Sequence, residues 1–175
     1  MNLHQIKLEF IAEQDRMLLR ISTSDAKEVL MWLTRRCVKL LWPLLMKMAQ
    51  SSPRVQLQGS SAEARAALLG MEHEKAVRRA DFSRPYEAAP RERPLGEQPI
   101  LVARIETRKD ERGNHVLTLL PARGQGVHVT LDEAVLHSFC RLLQNAVGRA
   151  DWDLKLDFPD VAPRPEQPEG ARTIN

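Results

Sequence analysis

Alternating apolar and polar residues predict β-strands in two separate stretches of the chain. In the first stretch, Ile6, Leu8 and Phe10 alternate with polar residues, and the pattern resumes after a polar break, which predicts a hairpin over residues 5–22. A third strand is predicted over residues 28–33. A second group of three strands is predicted over residues 100–107, 115–120 and 127–131.

The spacing of apolar residues changes to steps of three and four after each group of strands, which predicts helices. Thr34 and Asp132 stand at the two changes and are favourable N-cap residues. Residues 62–80 are rich in Ala, Glu, Arg and Leu and predict a third, partly exposed helix. Residues 50–60 predict a polar loop, and alternation over residues 152–158 predicts a short final strand.

These elements divide the chain into parts of one globular domain. The predicted parts are a first β-β-β-α unit over residues 1–50, a helix and proline-rich connecting arm over 51–99, a second β-β-β-α unit with a final strand over 100–158, and a disordered tail over 159–175. The tail carries four prolines and few apolar residues, a composition that does not bury a core.

The two units match when the first is moved forward by 98 residues, which indicates an internal duplication. Thr34 then falls on Asp132, and the third strand of the first unit falls on that of the second. A hairpin alone does not bury its apolar face, whereas two such units together can. The predicted fold class is α+β, with the duplicated units forming an antiparallel sheet, helices packed on one face and an extra middle helix.

Composition and charge favour a cytoplasmic protein. The chain has 175 residues, of which 43% are hydrophobic, and its two cysteines, Cys37 and Cys140, fall in apolar helical patterns typical of buried thiols. The start of the chain lacks the pattern of a signal peptide, and no apolar run has the length of a membrane span. The net charge of +3 equals the excess of positive over negative residues among the first 50, which hold eight Lys or Arg and five Asp or Glu. This excess is small for a dedicated duplex-binding protein.

A basic cluster at the start of the first predicted helix is one candidate binding site. Arg35 and Arg36 directly follow Thr34, and Lys39 lies one turn later. Positive charge at a helix N-terminus opposes the helix dipole, so a contact with an anion, a nucleic acid or a partner is one interpretation. A solvated basic face or a salt bridge to a neighbouring acid is the alternative.

The second candidate site is the other face of the predicted sheet. Trp32 alternates with the core positions Met31 and Leu33, which places it on that face with Leu18 and Leu30. An apolar face of this kind requires cover, either by the middle helix or by a protein partner, and we expect a homodimer. An aromatic side chain beside arginines also permits stacking on the bases of a single-stranded nucleic acid.

No residues have the spacing of an enzyme's catalytic or metal site. His128, His137 and Cys140 lack the pairings typical of zinc ligands, and Ser138 beside His137 has neither an elbow motif nor an orienting acid. We therefore expect no catalytic residues, no bound metal and no cofactor.

Three runs carry a resemblance to known families, namely 18–23 (LLRIST), 32–36 (WLTRR) and 41–45 (LWPLL). They resemble a family of uncharacterised proteobacterial proteins, which implies a bacterial cytoplasmic protein. The duplicated plan also looks like the Whirly and PUR classes of single-strand nucleic-acid binders, whose repeats have four strands before each helix where this chain has three. The sequence thus favours a non-enzymatic protein-interaction module, with single-stranded nucleic-acid binding as the alternative.

Overall fold

The chain folds into an α+β structure with seven strands and four α-helices in the part described. The computed structural model describes residues 3–80, 85–87 and 91–159. The strands are β1 (Leu3–Ile11), β2 (Arg16–Thr23), β3 (Glu28–Leu33), β4 (Ile100–Leu101), β5 (Arg104–Lys109), β6 (His115–Leu120) and β7 (Val127–Leu131). The helices are α1 (Arg35–Gln50), α2 (Pro53–Gln58), α3 (Ala62–Arg79) and α4 (Glu133–Ala150). Of the predicted tail, 159–175, only Pro159 lies within the described residues.

Backbone pairing within the described ranges forms two sheets, where the sequence predicted one. In the first sheet, β1, β2 and β3 are antiparallel and β4 joins β3 in parallel, and the second sheet has the order β5-β6-β7. The backbone changes its pairing partner between the two sheets at residues 102 and 103. The Val102 N–H donates to the Trp32 carbonyl at 3.0 Å, and the Ala103 N–H donates to the Leu120 carbonyl at 2.8 Å. One extended segment therefore belongs to both sheets in turn.

Both predicted helix caps are confirmed. The Thr34 hydroxyl accepts a hydrogen bond from the Cys37 N–H at 3.1 Å, and the Asp132 carboxylate accepts one from the Val135 N–H at 2.8 Å. Such caps satisfy N–H groups that have no partner within the helix. The predicted middle helix is α3, and only three of its residues are buried, as its thin apolar stripe indicated.

Two sequence predictions are wrong in the described structure. The predicted loop over residues 50–60 contains the helix α2, which begins at Pro53 and buries a single side chain, Val55. The predicted final strand over residues 152–158 does not form. Its side chains do alternate between buried and exposed, as the pattern indicated, but the segment packs on other elements without joining a ladder of backbone hydrogen bonds.

Side chains from both halves of the chain form one hydrophobic cluster. The cluster consists of side chains on the inward faces of both sheets and of buried side chains along α1 and α4. Helix α4 of the second half packs against β1 of the first half, and it also contacts α1 and α3. Neither half therefore completes its own core.

Some element bounds in the two halves are separated by 98 residues, whereas others differ from that offset by one to three residues. Helix α1 begins at Arg35 and α4 at Glu133, and 133 − 35 gives 98. Strand β3 ends at Leu33 and β7 at Leu131, again 98 residues apart. Within the described residues, each half has three consecutive antiparallel strands, the middle one paired with both neighbours, followed by a long capped helix.

A buried carboxylate fastens the connecting arm to the outer face of the first sheet. Glu28, at the start of β3, is only 5% exposed. Its side chain accepts a hydrogen bond from the Tyr86 hydroxyl at 2.8 Å and forms an ion pair with Arg93 at 3.0 Å, with Arg20 at 3.7 Å on the other oxygen. The Glu28 N–H also donates to the Glu92 carbonyl at 2.8 Å. These contacts hold both the side chain and the backbone of the arm.

No helix in the described part of the chain combines the length and the apolar character needed to cross a bilayer.

We expect the Glu28→Gln substitution to lower the free energy of unfolding by about 2 kcal/mol, because buried hydrogen bonds to a charged group stabilise by roughly 1.5–3 kcal/mol. The neutral amide still accepts from Tyr86 but no longer pairs with Arg93. Glu13→Gln is the matched control, since Glu13 is exposed, and it should change stability by less than about 0.5 kcal/mol. Urea unfolding measures both, and equal effects would contradict the assigned role of Glu28.

Candidate functional site

The basic cluster identified in the sequence lies on an exposed face of α1. Arg35, Arg36 and Lys39 are all exposed, as is Lys47 near the end of the helix. The helix contains no acidic residue, and none of these four side chains has an ion pair among the described residues. The face is therefore positively charged and open to solvent.

The apolar positions on the outer face of the first sheet differ in exposure. Leu18 is 8% exposed and Leu30 is 7% exposed, so the chain itself covers both leucines. Both lie outside the main hydrophobic cluster, as expected for the opposite face. Trp32 is half-buried and pairs with Leu101 of β4, which is 43% exposed. The apolar surface left for a partner at this end of the sheet is therefore Trp32 with Leu101.

A pair of buried histidines joins α3 to α4. The Nδ1 atoms of His73 and His137 are 3.2 Å apart, and the residues are 7% and 1% exposed. A hydrogen bond between two such nitrogens requires one to carry the proton and the other to accept it. Burial lowers the pKa of both rings, that of His73 to about 4. The pair is therefore neutral at pH 7.

The segment that follows α4 packs on this histidine pair. The Phe158 ring stacks on His73 with ring centroids 3.7 Å apart and meets Trp42 of α1 edge to face.

Burial keeps both cysteines protonated. It raises the pKa of Cys37 on α1 to about 11 and that of Cys140 on α4 to about 12, so both are thiols at neutral pH rather than nucleophilic thiolates. In the described ranges, His, Cys, Asp and Glu form no group of three that could hold a metal ion.

A groove of about 680 Å³ lies between β1 and α4. One wall consists of six consecutive residues of β1, from Leu3 to Leu8. Consecutive strand residues point to opposite faces of a sheet, so a wall that contains all six runs along the strand's edge. The opposite wall is one side of α4, including Val135, Ser138 and Phe139, and the end of α3 and Tyr86 complete the lining.

Among the described residues, no strand pairs with β1 on the side that faces away from β2. Strand β1 stands first in the order of the four-stranded sheet, and within the described ranges its backbone hydrogen bonds go to β2 alone. A bulge interrupts the pairing between Leu3 and Gln5, which limits the regular edge to the residues from Gln5 to Ile11. Edge strands present unpaired N–H and C=O groups that bind additional strands.

The charged residues that line the groove are all basic. Lys7, Arg79 and Arg149 are the cations, His4 adds an imidazole ring, and no acidic residue belongs to the described lining. Lys7 pairs with Glu9 at 2.8 Å, whereas Arg79 and Arg149 are exposed and have no ion pair among the described residues. The floor is apolar, since Ile6, Leu8 and Leu142 also line it. The groove thus joins an apolar floor to a positive rim.

A second cavity, of about 840 Å³, opens beside the N-terminus of α4. Its lining is polar and its charges are mixed. The basic residues are His4, Arg108, Lys109 and Arg112, and the acidic ones are Asp110, Glu111 and Asp132. Asp110 is already engaged, because Asn114 donates to it and lowers its pKa. This cavity therefore has neither the apolar floor nor the single sign of charge that distinguishes the groove beside β1.

The sequence did not indicate the groove, because its parts lie far apart along the chain. Lys7, Arg79 and Arg149 come from β1, the end of α3 and the end of α4, and no local pattern connects them. The only local signal was the alternation that predicted β1 itself. The histidine pair was missed for the same reason, since 64 residues separate His73 from His137.

Comparison of the chain with protein-family models, with curated proteins and with solved structures found no match.

We expect the free energy of unfolding to fall by roughly 3 kcal/mol between pH 6.5 and pH 4 because of His73. Its pKa of about 4 in the folded state is lower than the usual value of about 6.5, so the unfolded chain takes up the proton first. The stability that neutral His73 contributes to the folded state is therefore complete above pH 6.5 and is lost as the pH falls to 4. Nearby charges also shift these pKa values: Arg141 lowers the pKa of His73, and Glu133 and Glu72 raise that of His137.

Urea unfolding at a series of pH values measures this dependence. The His73→Phe variant should lose most of the slope between pH 4 and 6.5, whatever its stability at pH 7, because the Phe ring still packs on Phe158 without titrating. Leu57→Phe is the control, since it places a Phe ring at an exposed position and removes no titratable group, so it should leave the slope unchanged. A wild-type slope in His73→Phe would refute the assignment.

Proposed function

We propose that the chain is a non-catalytic protein-interaction module that binds an extended segment of another protein in the groove between β1 and α4. The observation that carries this proposal is the free edge of β1 lying along one wall of the groove. A bound segment would add a strand to the sheet through backbone hydrogen bonds, while its side chains rest on the apolar floor. The groove's volume falls within the roughly 300–1,000 Å³ of ordinary ligand pockets.

The chemistry of the described side chains supports binding rather than catalysis. The groups whose pKa burial shifts furthest are those of His73, Cys37 and Cys140, and none of these residues lines the groove. Enzyme active sites concentrate such groups in the cleft that holds the substrate. Here they lie in the core, where their neutral forms are the stable ones.

The repeated order of elements supports a further proposal, that the two halves arose as a structural duplication. The shared offset of 98 residues at α1 and α4, and at β3 and β7, is its basis. The halves differ in charge at the helix start, where Arg35 and Arg36 correspond to Glu133 and Ala134. Superposition of residues 104–150 on residues 6–52 tests the duplication by the agreement of strand register and helix direction.

A homodimer is one form that the interaction could take. Pairing of β1 with its counterpart in a second copy would continue the sheet across a twofold axis. The half-buried Trp32 and the exposed Leu101 form a second surface for the same purpose. Multi-angle light scattering distinguishes these states, since a strict monomer at high concentration leaves a different protein as the partner.

We expect peptides selected from a displayed library of random ten-residue sequences to protect β1 from hydrogen exchange. Binding at the edge should slow exchange at residues 3–11 and leave the hairpin of β5 and β6 unchanged, because the added hydrogen bonds form only on β1. Exchange is measured on the full chain with and without a saturating peptide.

A variant that fills the groove is the control for this experiment. Ser138→Trp places an indole among the lining residues of α4 and should weaken peptide binding by at least about tenfold, or about 1.4 kcal/mol. Asn145→Trp adds the same ring to an exposed position of α4 outside the groove and should have no effect. Absence of binders, or protection that avoids β1, would overturn the proposed function.

Binding of single-stranded nucleic acid is the second candidate function. The exposed face of α1 favours it, because four cations stand there with no acidic residue in the helix. Trp32, half-buried on the outer sheet face, is the aromatic residue available for stacking on a base. The likeness of the predicted plan to Whirly and PUR repeats agrees with this candidate.

If α1 binds nucleic acid, the affinity for a labelled single strand should depend steeply on salt. Replacement of Arg35, Arg36 and Lys39 by Ala should then weaken binding at low salt and reduce the slope of log affinity against log salt by about two, because each phosphate that a cation neutralises contributes roughly 0.7 to that slope. Fluorescence anisotropy measures both quantities. No binding at low ionic strength eliminates this candidate.

A further inference from the structure

We infer that the groove between β1 and α4 selects an acidic extended peptide, with carboxylates beside Arg79 and Arg149 and apolar side chains between them. This inference rests on the proposed function, because it names the chemistry of the segment that the groove would bind. It commits to one class of ligand, a strand-forming segment rich in Asp or Glu.

The rim's charge is the first argument for an acidic ligand. Lys7, Arg79 and Arg149 line the groove from three different elements, and the described lining contains no carboxylate to neutralise them. The exposed basic residues of α3 and α4 that lie outside the groove include Arg78, which is paired with Glu74 at 3.0 Å. Arg79, its neighbour in sequence, lines the groove and has no such partner among the described residues. An incoming carboxylate would therefore meet Arg79 and Arg149, which have no ion pair among the described residues, whereas Lys7 is already paired with Glu9.

The chain's own arm shows which chemistry one end of the groove accepts. At the start of β1, His4 Nε2 lies 3.4 Å from a carboxylate oxygen of Glu87. The Gln5 side chain accepts a hydrogen bond from the Glu87 N–H at 3.1 Å and donates to the Pro85 carbonyl at 3.4 Å. An acidic residue is thus already held there by two groove-lining side chains, His4 and Gln5.

An added strand would meet apolar side chains on the side of the sheet that α4 covers. Side chains of such a strand point in turn to the two faces of the sheet. On the side of α4 they would meet the apolar residues Ile6, Leu8 and Leu142, and Arg79 and Arg149, near the ends of α3 and α4, line the same groove. Gln5 to Leu8 belong both to the regular edge and to the lining, and at about 3.3 Å per residue these four residues span roughly 13 Å.

Three matched peptides test the inference. Each has ten residues and alternates Val with a second residue, which is Glu, Gln or Lys in the three peptides, and each carries a fluorescent label. Anisotropy on the full-length chain should show the Glu peptide binding at least about tenfold more tightly than the Gln peptide, and the Lys peptide more weakly than either. The preference for the Glu peptide should shrink as the salt concentration rises, because exposed charges are screened.

Two double variants test whether the basic rim of the groove causes the tighter binding of the Glu peptide. Arg79→Gln with Arg149→Gln should weaken the Glu peptide about tenfold and leave the Gln peptide unchanged. Arg78→Gln with Arg141→Gln is the control, since it removes the same charge from exposed positions of the same two helices outside the groove. Equal effects of the two double variants, or equal binding of the three peptides, would overturn the inference.

The outcomes separate this inference from the proposed function. Library peptides that protect β1 without enrichment in Asp or Glu, and without dependence on Arg79 and Arg149, would leave the interaction module standing and refute the acidic preference. Failure of every peptide to bind at β1 would refute both.

Discussion

The packing of α4 against β1 is the contact on which the rest of the structure depends. It joins the helix of the second half to the first strand of the first half, so one hydrophobic cluster serves both sheets. Because the helix lies beside a strand at the sheet's edge, the same contact also builds a groove whose second wall is unpaired backbone. The fold and the candidate site are thus consequences of one arrangement, and neither half would present the groove alone.

Local patterns in the sequence predicted most of the regular elements. Alternation identified β1, β2, β3, β6 and β7, and the caps at Thr34 and Asp132 marked the starts of two helices, because hydrogen bonds and burial at these positions follow from neighbours close in the chain. Residues 152–158 show where this reasoning stops. Their alternating burial was predicted well, but whether a segment joins a sheet depends on a partner strand that alternation does not specify.

The candidate site was beyond such reasoning, for a physical reason. A groove needs two walls and a rim, and here they come from the first ten residues and from helices that end at Arg79 and Ala150. The sequence predicted a binding surface at Leu18, Leu30 and Trp32 instead, because their positions in the alternating pattern showed which face of the sheet they occupy. It did not show that the chain itself already covers the two leucines.

The bond between Trp152 and Asp15 has a consequence for how the chain is made. The Trp152 indole N–H donates to the Asp15 carboxylate, and its ring meets Phe10 edge to face. Asp15 closes the first hairpin, which a ribosome synthesises long before Trp152 emerges. The first sheet must therefore wait, with part of its apolar face uncovered, until translation has passed α4. Because transiently exposed apolar surface promotes aggregation, a longer interval between synthesis of the first hairpin and of Trp152 would lower the yield of folded protein.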